Sequence, residues 1–296
     1  MNYLPYEEHY QDKKAEKVAL RLFYIFVYIL LIFYGIMFVT DIAFNTKYRY
    51  ITVEGLSMQP TLNTNPILDG DKYYQDGVYV LLTQEVDYND IVIVSRPNDV
   101  KGQPNYTVIK RAIAFEGDKI SIVKLPTGEY DMFGLPITEY RLVLQKKGEK
   151  EAKVVYEDYI KSYAEWDYIA STSYEGLRYD SDFYHDYIQK GLTTTATVTY
   201  QNKLSETVSE EVELFTIGSD SDTDDRQVFY LGDNRLGSKD SRENGTTDQS
   251  MIVGKVIYIV RDSYSLKNSA FGWFNKVKYF FVIIWNEIVD YFASLP

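Results

Sequence analysis

From Leu22 to Thr40 the chain reads LFYIFVYILLIFYGIMFVT, nineteen residues without a charge. A membrane-spanning helix needs about 20 such residues. A cleavable signal sequence would have a shorter apolar core followed by a small-residue cleavage site. The next stretch, DIAFNTKYRY, offers no such site. The pattern therefore predicts a short tail (1–21) and an uncleaved transmembrane anchor (22–44). The texture then changes to a period of two. YRYITVEGL, GVYVLL, DIVIVSRP, YTVIKRAIAF and DKISIVKL are short β-rich runs separated by Gly, Asn, Asp and Pro. Residues 45–124 read as a mainly β core, which VFYLGDNRLGSKDSR and MIVGKVIYIV complete over 227–262. Between them, 125–226 is rich in Tyr, Lys and Glu, with QKKGEKEAK and the threonine strand TTTATVTY, and reads as an inserted β-rich subdomain. The last segment, 263–296, is aromatic and amphipathic. Its uncharged run, Tyr279 to Asn286, is too short to span a bilayer. Two readings stand level for it, a helix on the bilayer surface or a helix packed on the β core, and a second span comes third.

Charge orients the anchor. Lys13, Lys14, Lys17 and Arg21 precede it, and only Lys47 and Arg49 follow within fifteen residues. The bias points the N-terminus to the cytoplasm and the rest outside the plasma membrane, because orientation follows Lys and Arg and not net charge. The chain as a whole carries a net charge of −12, which argues against a nucleic-acid partner. It has no cysteine, which excludes disulfides, thiolate metal sites and cysteine nucleophiles. Its two histidines, His9 and His185, lie in the tail and in a Tyr- and Asp-rich surface-like stretch, so a histidine-based triad is disfavoured. Asp220, Asp222 and Asp224 are spaced like the start of a calcium loop, but the required Gly is missing and Leu231 stands where the closing Glu belongs. A solvated acidic loop is the better reading.

The chemistry centres on VEGLSMQPTL, residues 53–62. A serine hydroxyl is a weak nucleophile and needs a base. With histidine nearly unavailable, a desolvated lysine can serve, since burial disfavours its charged form. Lys110 interrupts the apolar run VIKRAIAF, which points its side chain toward an apolar face, and Arg111 beside it would press its pKa down further if its charge turned inward.

GLSMQPTL, VIKRAIAFEGDKI and LGDNRLGSKDSR, in this order behind an anchor, resemble the conserved boxes of bacterial type I signal peptidases. YNDIVIVSRP resembles a fourth box between the first two. The resemblance covers 50–62, 88–97, 106–120 and 229–254. It implies coiled antiparallel β-sheets and a Ser-Lys dyad, with Ser57 as nucleophile and Lys110 as general base. By motif position, Ser238 would hydrogen-bond and orient the Lys110 amine. Asp240 and Arg242 would form a supporting ion pair, Arg111 follows the base, and Gly232, Asp233 and Asn234 would make the turn that closes on Lys110. The implied reaction is removal of signal peptides from exported preproteins, which enter as an extended strand. Ile51, Val53 and Ile109 are the expected walls of the small-residue pockets, and no metal or cofactor is required. The bilayer and the secretion translocon are the further implied partners.

The chain departs from the pattern at three places. Asn89-Asp90 replaces a frequent Gly-Asp, and Ala114 and Glu116 replace a common Gly and Pro. Gly55 stands where Gram-negative members carry a serine that helps bind the oxyanion, as in many Gram-positive members. The Ser57 backbone N–H and the Gly55 region are then the expected oxyanion site. A signal-peptidase-like accessory protein for pilin assembly is the alternative from a different class, and a cytoplasmic Ser-Lys autoprotease comes third. Both fit less well, one because the dyad residues are intact, the other because of the anchor.

Overall fold

A computed structural model of the chain describes residues 5–64, 67–69, 72–98, 102–155, 157, 193–202, 204–218, 224–235, 237–261 and 272–293. His185 and the centre of the acidic loop lie outside them. Two units divide the chain, Met1–Arg49 and Tyr50–Pro296. The first is built on α1 (Pro5–Lys47), which extends beyond 22–44 at both ends. Within it, Glu16–Lys47 is long and apolar enough to cross a membrane, the one such helix among the described residues. A helix satisfies its own backbone hydrogen bonds, which is what an apolar run must do where no water is present.

The second unit is mainly β. Seven strands form one sheet in the order β1 (Tyr48–Thr52), β4 (Gly77–Leu81), β14 (Ile252–Val260), β5 (Ile91–Arg96), β6 (Tyr106–Phe115), β12 (Gln227–Leu231) and β13 (Thr247–Asp248). Five form a second sheet in the order β10 (Thr193–Gln201), β11 (Thr207–Thr216), β7 (Lys119–Tyr130), β8 (Pro136–Gln145) and β9 (Lys153–Val155). A hairpin of β2 (Ile67–Asp69) and β3 (Lys72–Tyr74) stands apart. The registered pairs are antiparallel, including β5 with β6 and β6 with β12. The border expected between 124 and 125 lies inside β7, which already belongs to the second sheet.

The seven-stranded sheet is covered on both faces, and this explains why IVIV in β5 reads as a continuous apolar run and not as alternation. Ile91 and Ile93 join Val53, Met58, Leu62, Val78, Val80 and Ile109 on one side. Val92 and Val94 join Ala112, Phe115, Val228 and Tyr230 on the other. A third cluster, with Ile113, Phe229 and Leu231 from the first sheet and Ile120, Leu142 and Phe215 from the second, welds the sheets together. The β6–β7 turn is tied down by Asp118, whose buried carboxylate accepts from Phe115 N (2.8 Å), Lys147 N (2.7 Å) and Tyr88 Oη (2.8 Å). Two helices follow: the single turn α2 (Ser241–Asn244) and α3 (Gly272–Ala293). Of the two readings of the C-terminal segment, packing on the sheet holds for one face of α3. Tyr279 stacks on Tyr79 and Tyr258, with ring centroids 5.9 and 5.4 Å apart, and Ile283 is buried.

Candidate active site

Ser57 sits on the loop that leaves β1. Three apolar side chains, Val53, Met58 and Leu62, plunge from this loop into the cluster under β4–β6, so the Ser57 turn between them stays at the surface and Ser57 is only half-buried. Gly55 at φ +80 turns the chain in the left-handed region that a side chain disfavours. The loop is closed by hydrogen bonds from Gln59 N to Leu56 O (3.1 Å) and from Leu62 N to Met58 O (2.9 Å).

Sequence reasoning did not single out the clamp that holds this loop. Asn63, itself at φ +54, donates through Nδ2 to Val53 O (3.0 Å) and Gly55 O (2.8 Å). Its Oδ1 accepts from Asp76 N (2.7 Å), and its own N–H reaches Asp76 Oδ2 (2.9 Å). Arg261 pairs with the same carboxylate at 2.5 Å. The only cue in the sequence was Asn itself, a residue that tolerates left-handed backbone.

Lys110 lies in β6 between β5 and β12, and it is 4% exposed. Its Nζ donates to Ser57 Oγ (2.8 Å) and to Ile109 O (2.9 Å). Burial pushes its pKa from 10.5 down to about 8; Asp240 and Asp233 pull upward against this, and Arg242 presses down with it. The cation that presses on Lys110 is Arg242 and not Arg111. Arg111 faces Asp233 through Nε (2.8 Å) and Nη2 (2.6 Å), so its charge is matched there.

The 232–242 segment closes over both residues. Asn234 N donates to Ser57 O (3.0 Å) and its Nδ2 to Leu56 O (3.1 Å). Asp233 also accepts from Thr61 Oγ1 at 2.5 Å, which joins this turn to the Ser57 loop. Arg111 Nη1 donates to Asn89 O (2.8 Å), and Asn89 has φ +70, so the frequent glycine at this place has a plain backbone reason and Asn can replace it. Gly232 has no room for a side chain: a Cβ there would meet Ser238 and the Ser57 carbonyl. Asp240, fully buried, accepts from Gly232 N (2.9 Å) and from Arg242 Nε (2.8 Å) and Nη2 (2.9 Å). Burial works to raise the Asp240 pKa, but Arg242 and the Gly232 N–H outweigh it and hold the carboxyl below its usual range. Arg235, also missed, reaches out of this turn to Glu157 in a buried ion pair at 2.5 Å.

Ser238 departs from expectation. Lys110 Nζ makes its bonds to Ser57 and Ile109 instead, and Ser238 Oγ is buried without a hydrogen-bond partner. The hydroxyl lies near the Asp240 carboxylate and helps to hold its pKa down. Ile51, Val53 and Ile109 fall in one cluster beneath the Ser57 loop; Val53 and Ile109 are buried in it and Ile51 is partly buried against it.

A serine hydroxyl 2.8 Å from an amine whose pKa burial lowers to about 8 can lose its proton to that amine as it attacks an acyl carbon. Comparison with known proteins gives the family of the chain. The sequence model of the family described as "Signal peptidase, peptidase S26" matches residues 21–261. Two relatives, each named signal peptidase I, come from Streptococcus pneumoniae, serotype 4 strain ATCC BAA-334 / TIGR4 and strain ATCC BAA-255 / R6. Each is 28% identical over 208 residues, covering 69% of this chain and 78% of its own length. With the family match running from within α1 to the end of β14, the chain belongs to the signal peptidase family, peptidase S26.

Proposed function

We propose that the protein is a membrane-anchored endopeptidase that removes signal peptides from exported preproteins with a Ser57–Lys110 dyad. The observation that carries this reading is the 2.8 Å contact between Ser57 Oγ and a buried Lys110 amine whose pKa lies near 8. In its neutral form Lys110 takes the Oγ proton while Oγ bonds to the scissile carbonyl carbon. The negative charge that develops on the carbonyl oxygen is met by the Ser57 backbone N–H in the Gly55 region. Collapse of this intermediate breaks the C–N bond, and the departing amine takes the proton back from the Lys110 ammonium. The acyl chain remains as an ester on Ser57. Lys110, neutral again, accepts a proton from water as the water attacks the ester, and Oγ recovers its proton as the ester opens.

The substrate enters as an extended strand, with Ile51, Val53 and Ile109 beneath its alternate side chains. Asp240 with Arg242, and Asp233 with Arg111, hold the strand and turn that carry the dyad. The seven-stranded sheet is the catalytic core, and the five-stranded sheet, which starts with β7 at Lys119 and not at 125, is an inserted subdomain. The anchor leaves the N-terminus in the cytoplasm and the core on the outer surface, where cleavage sites emerge from the translocon. Protease added to intact protoplasts therefore digests the chain beyond residue 44, and protection of that region overturns the orientation.

A binding-only role in pilin assembly is disfavoured by the same contact, since a non-catalytic surface has no use for a desolvated lysine on a serine. The deciding experiment incubates detergent-solubilised protein with a preprotein. Wild type releases the mature chain and Ser57→Ala does not; equal cleavage by the two defeats the proposal.

A further inference from the structure

We propose that the outward face of α3 is a lipid-docking surface that seats the seven-stranded sheet at the bilayer interface. This rests on the reading that α1 spans the bilayer. A helix lying on a globular domain ordinarily turns its apolar stripe inward and its polar face to water. α3 does otherwise. Its inward face is held by Tyr279, stacked on Tyr79 and Tyr258, and by Ile283, which is 2% exposed. Phe281, Trp285, Ile288 and Phe292 follow at steps of four, three and four residues, so they fall within about 60° of arc, roughly opposite Ile283. They are 64, 66, 43 and 66% exposed, and Val289 and Tyr291 flank them at 45 and 63%. Contiguous exposed apolar surface of this kind marks an interaction site.

The chemistry of the stripe and the architecture of the chain name the occupant. Trp, Tyr and Phe on one side of a helix match the boundary between headgroups and acyl chains. The same chain carries a helix long and apolar enough to cross a bilayer. The net charge of −12 gives no general attraction to anionic lipid, so docking is driven by apolar burial and not by headgroup charge. Tyr79 lies in β4 and Tyr258 in β14, in the same sheet as β6 with Lys110. Fixing α3 in the interface therefore fixes the depth and tilt of the sheet that holds the dyad.

The chain has three tryptophans, Trp166, Trp273 and Trp285, and no cysteine. The full-length variant Trp166→Phe/Trp273→Phe, reconstituted into phosphatidylcholine vesicles, leaves Trp285 as the reporter. The expected result is blue-shifted emission. Lipids brominated near the carbonyl end of the acyl chain quench it more than lipids brominated at the chain terminus, and high salt leaves it unchanged. Should that variant misfold, Phe281→Cys with a nitroxide label is the second reporter, expected to collide more often with oxygen than with a water-soluble nickel complex. Protein that floats with the vesicles while its reporter stays unquenched and wet overturns the proposal. So does a dry but unquenched reporter that becomes wet on dilution in lipid, which would mark a second copy as the occupant. Protein that fails to float overturns the α1 reading and the docking proposal together.

Discussion

Replacing Lys110 with methionine exchanges a buried amine for an apolar chain of similar length, and the structure sets the sign and size of the effect on stability. The Lys110 pKa is pushed from 10.5 down to about 8, a shift worth about 3 kcal/mol at roughly 1.4 kcal/mol per unit. Below pH 8 both folded and unfolded chains are protonated, and the folded state carries the whole penalty. Between pH 8 and 10.5 the unfolded chain keeps a proton that the folded chain has lost, so wild-type stability climbs with pH; above 10.5 the penalty is gone. Methionine escapes the penalty but gives up the bonds to Ser57 Oγ and Ile109 O, about 1 kcal/mol each. Lys110→Met is therefore more stable than wild type by about 1 kcal/mol at pH 7 and less stable by about 2 kcal/mol above pH 10.5. Urea unfolding of the detergent-solubilised full-length protein, followed by near-ultraviolet circular dichroism across that range, reads the difference. A methionine variant that is less stable at pH 7, or a difference that does not change with pH, refutes the reasoning.

Arg242→Gln leaves the fully buried Asp240 without its cation, and thermal unfolding should register a loss of about 3–5 kcal/mol. In whatever folded protein remains, the acid limb of the cleavage profile moves to higher pH, because Arg242 no longer presses the Lys110 pKa down. Asn63→Ala removes the side-chain bonds to Val53 O, Gly55 O and Asp76 N. It should cost about 2–3 kcal/mol in denaturant titration and lower kcat; Asn63→Gly, which keeps the backbone angle but not the bonds, should remain impaired. Gly232→Ala forces a methyl against Ser238 and the Ser57 carbonyl. It should abolish cleavage at a stability cost of about 1–3 kcal/mol, and wild-type turnover would show that the close approach is unimportant.

What the sequence disclosed follows from how local each signal is. The apolar run of α1 and the alternation of β10 are properties of neighbouring residues, and both are visible without a fold. Ser57, Lys110 and the 232–242 segment could be named because each lies in a short motif. Their partners could be named only where the partner lies in a motif too, as with Asp240 and Arg242, two residues apart. The Arg235–Glu157 pair spans 78 residues and joins a motif to a featureless stretch, so nothing local signals it. The Asn63–Asp76 clamp fails for the same reason, and because an Asn after a turn is ordinary. In α3 the composition was legible but the inward face was not, since apolar residues occur all round the helix and only Tyr79 and Tyr258 decide which of them is covered. Ser238 was assigned by position alone. Its side chain packs against Gly232, a contact between separate positions that no spacing reveals.

The central claim is that Lys110 works as a neutral amine on Ser57. It is tested most directly by kcat/KM for cleavage of a signal-sequence peptide between pH 6 and 10, in wild type and Lys110→Ala. The wild-type profile should rise about tenfold per unit on its acid limb and level off above the Lys110 pKa of about 8, while Lys110→Ala, folded and anchored, shows no cleavage. A wild-type profile flat across that range, or substantial cleavage by Lys110→Ala, contradicts the account.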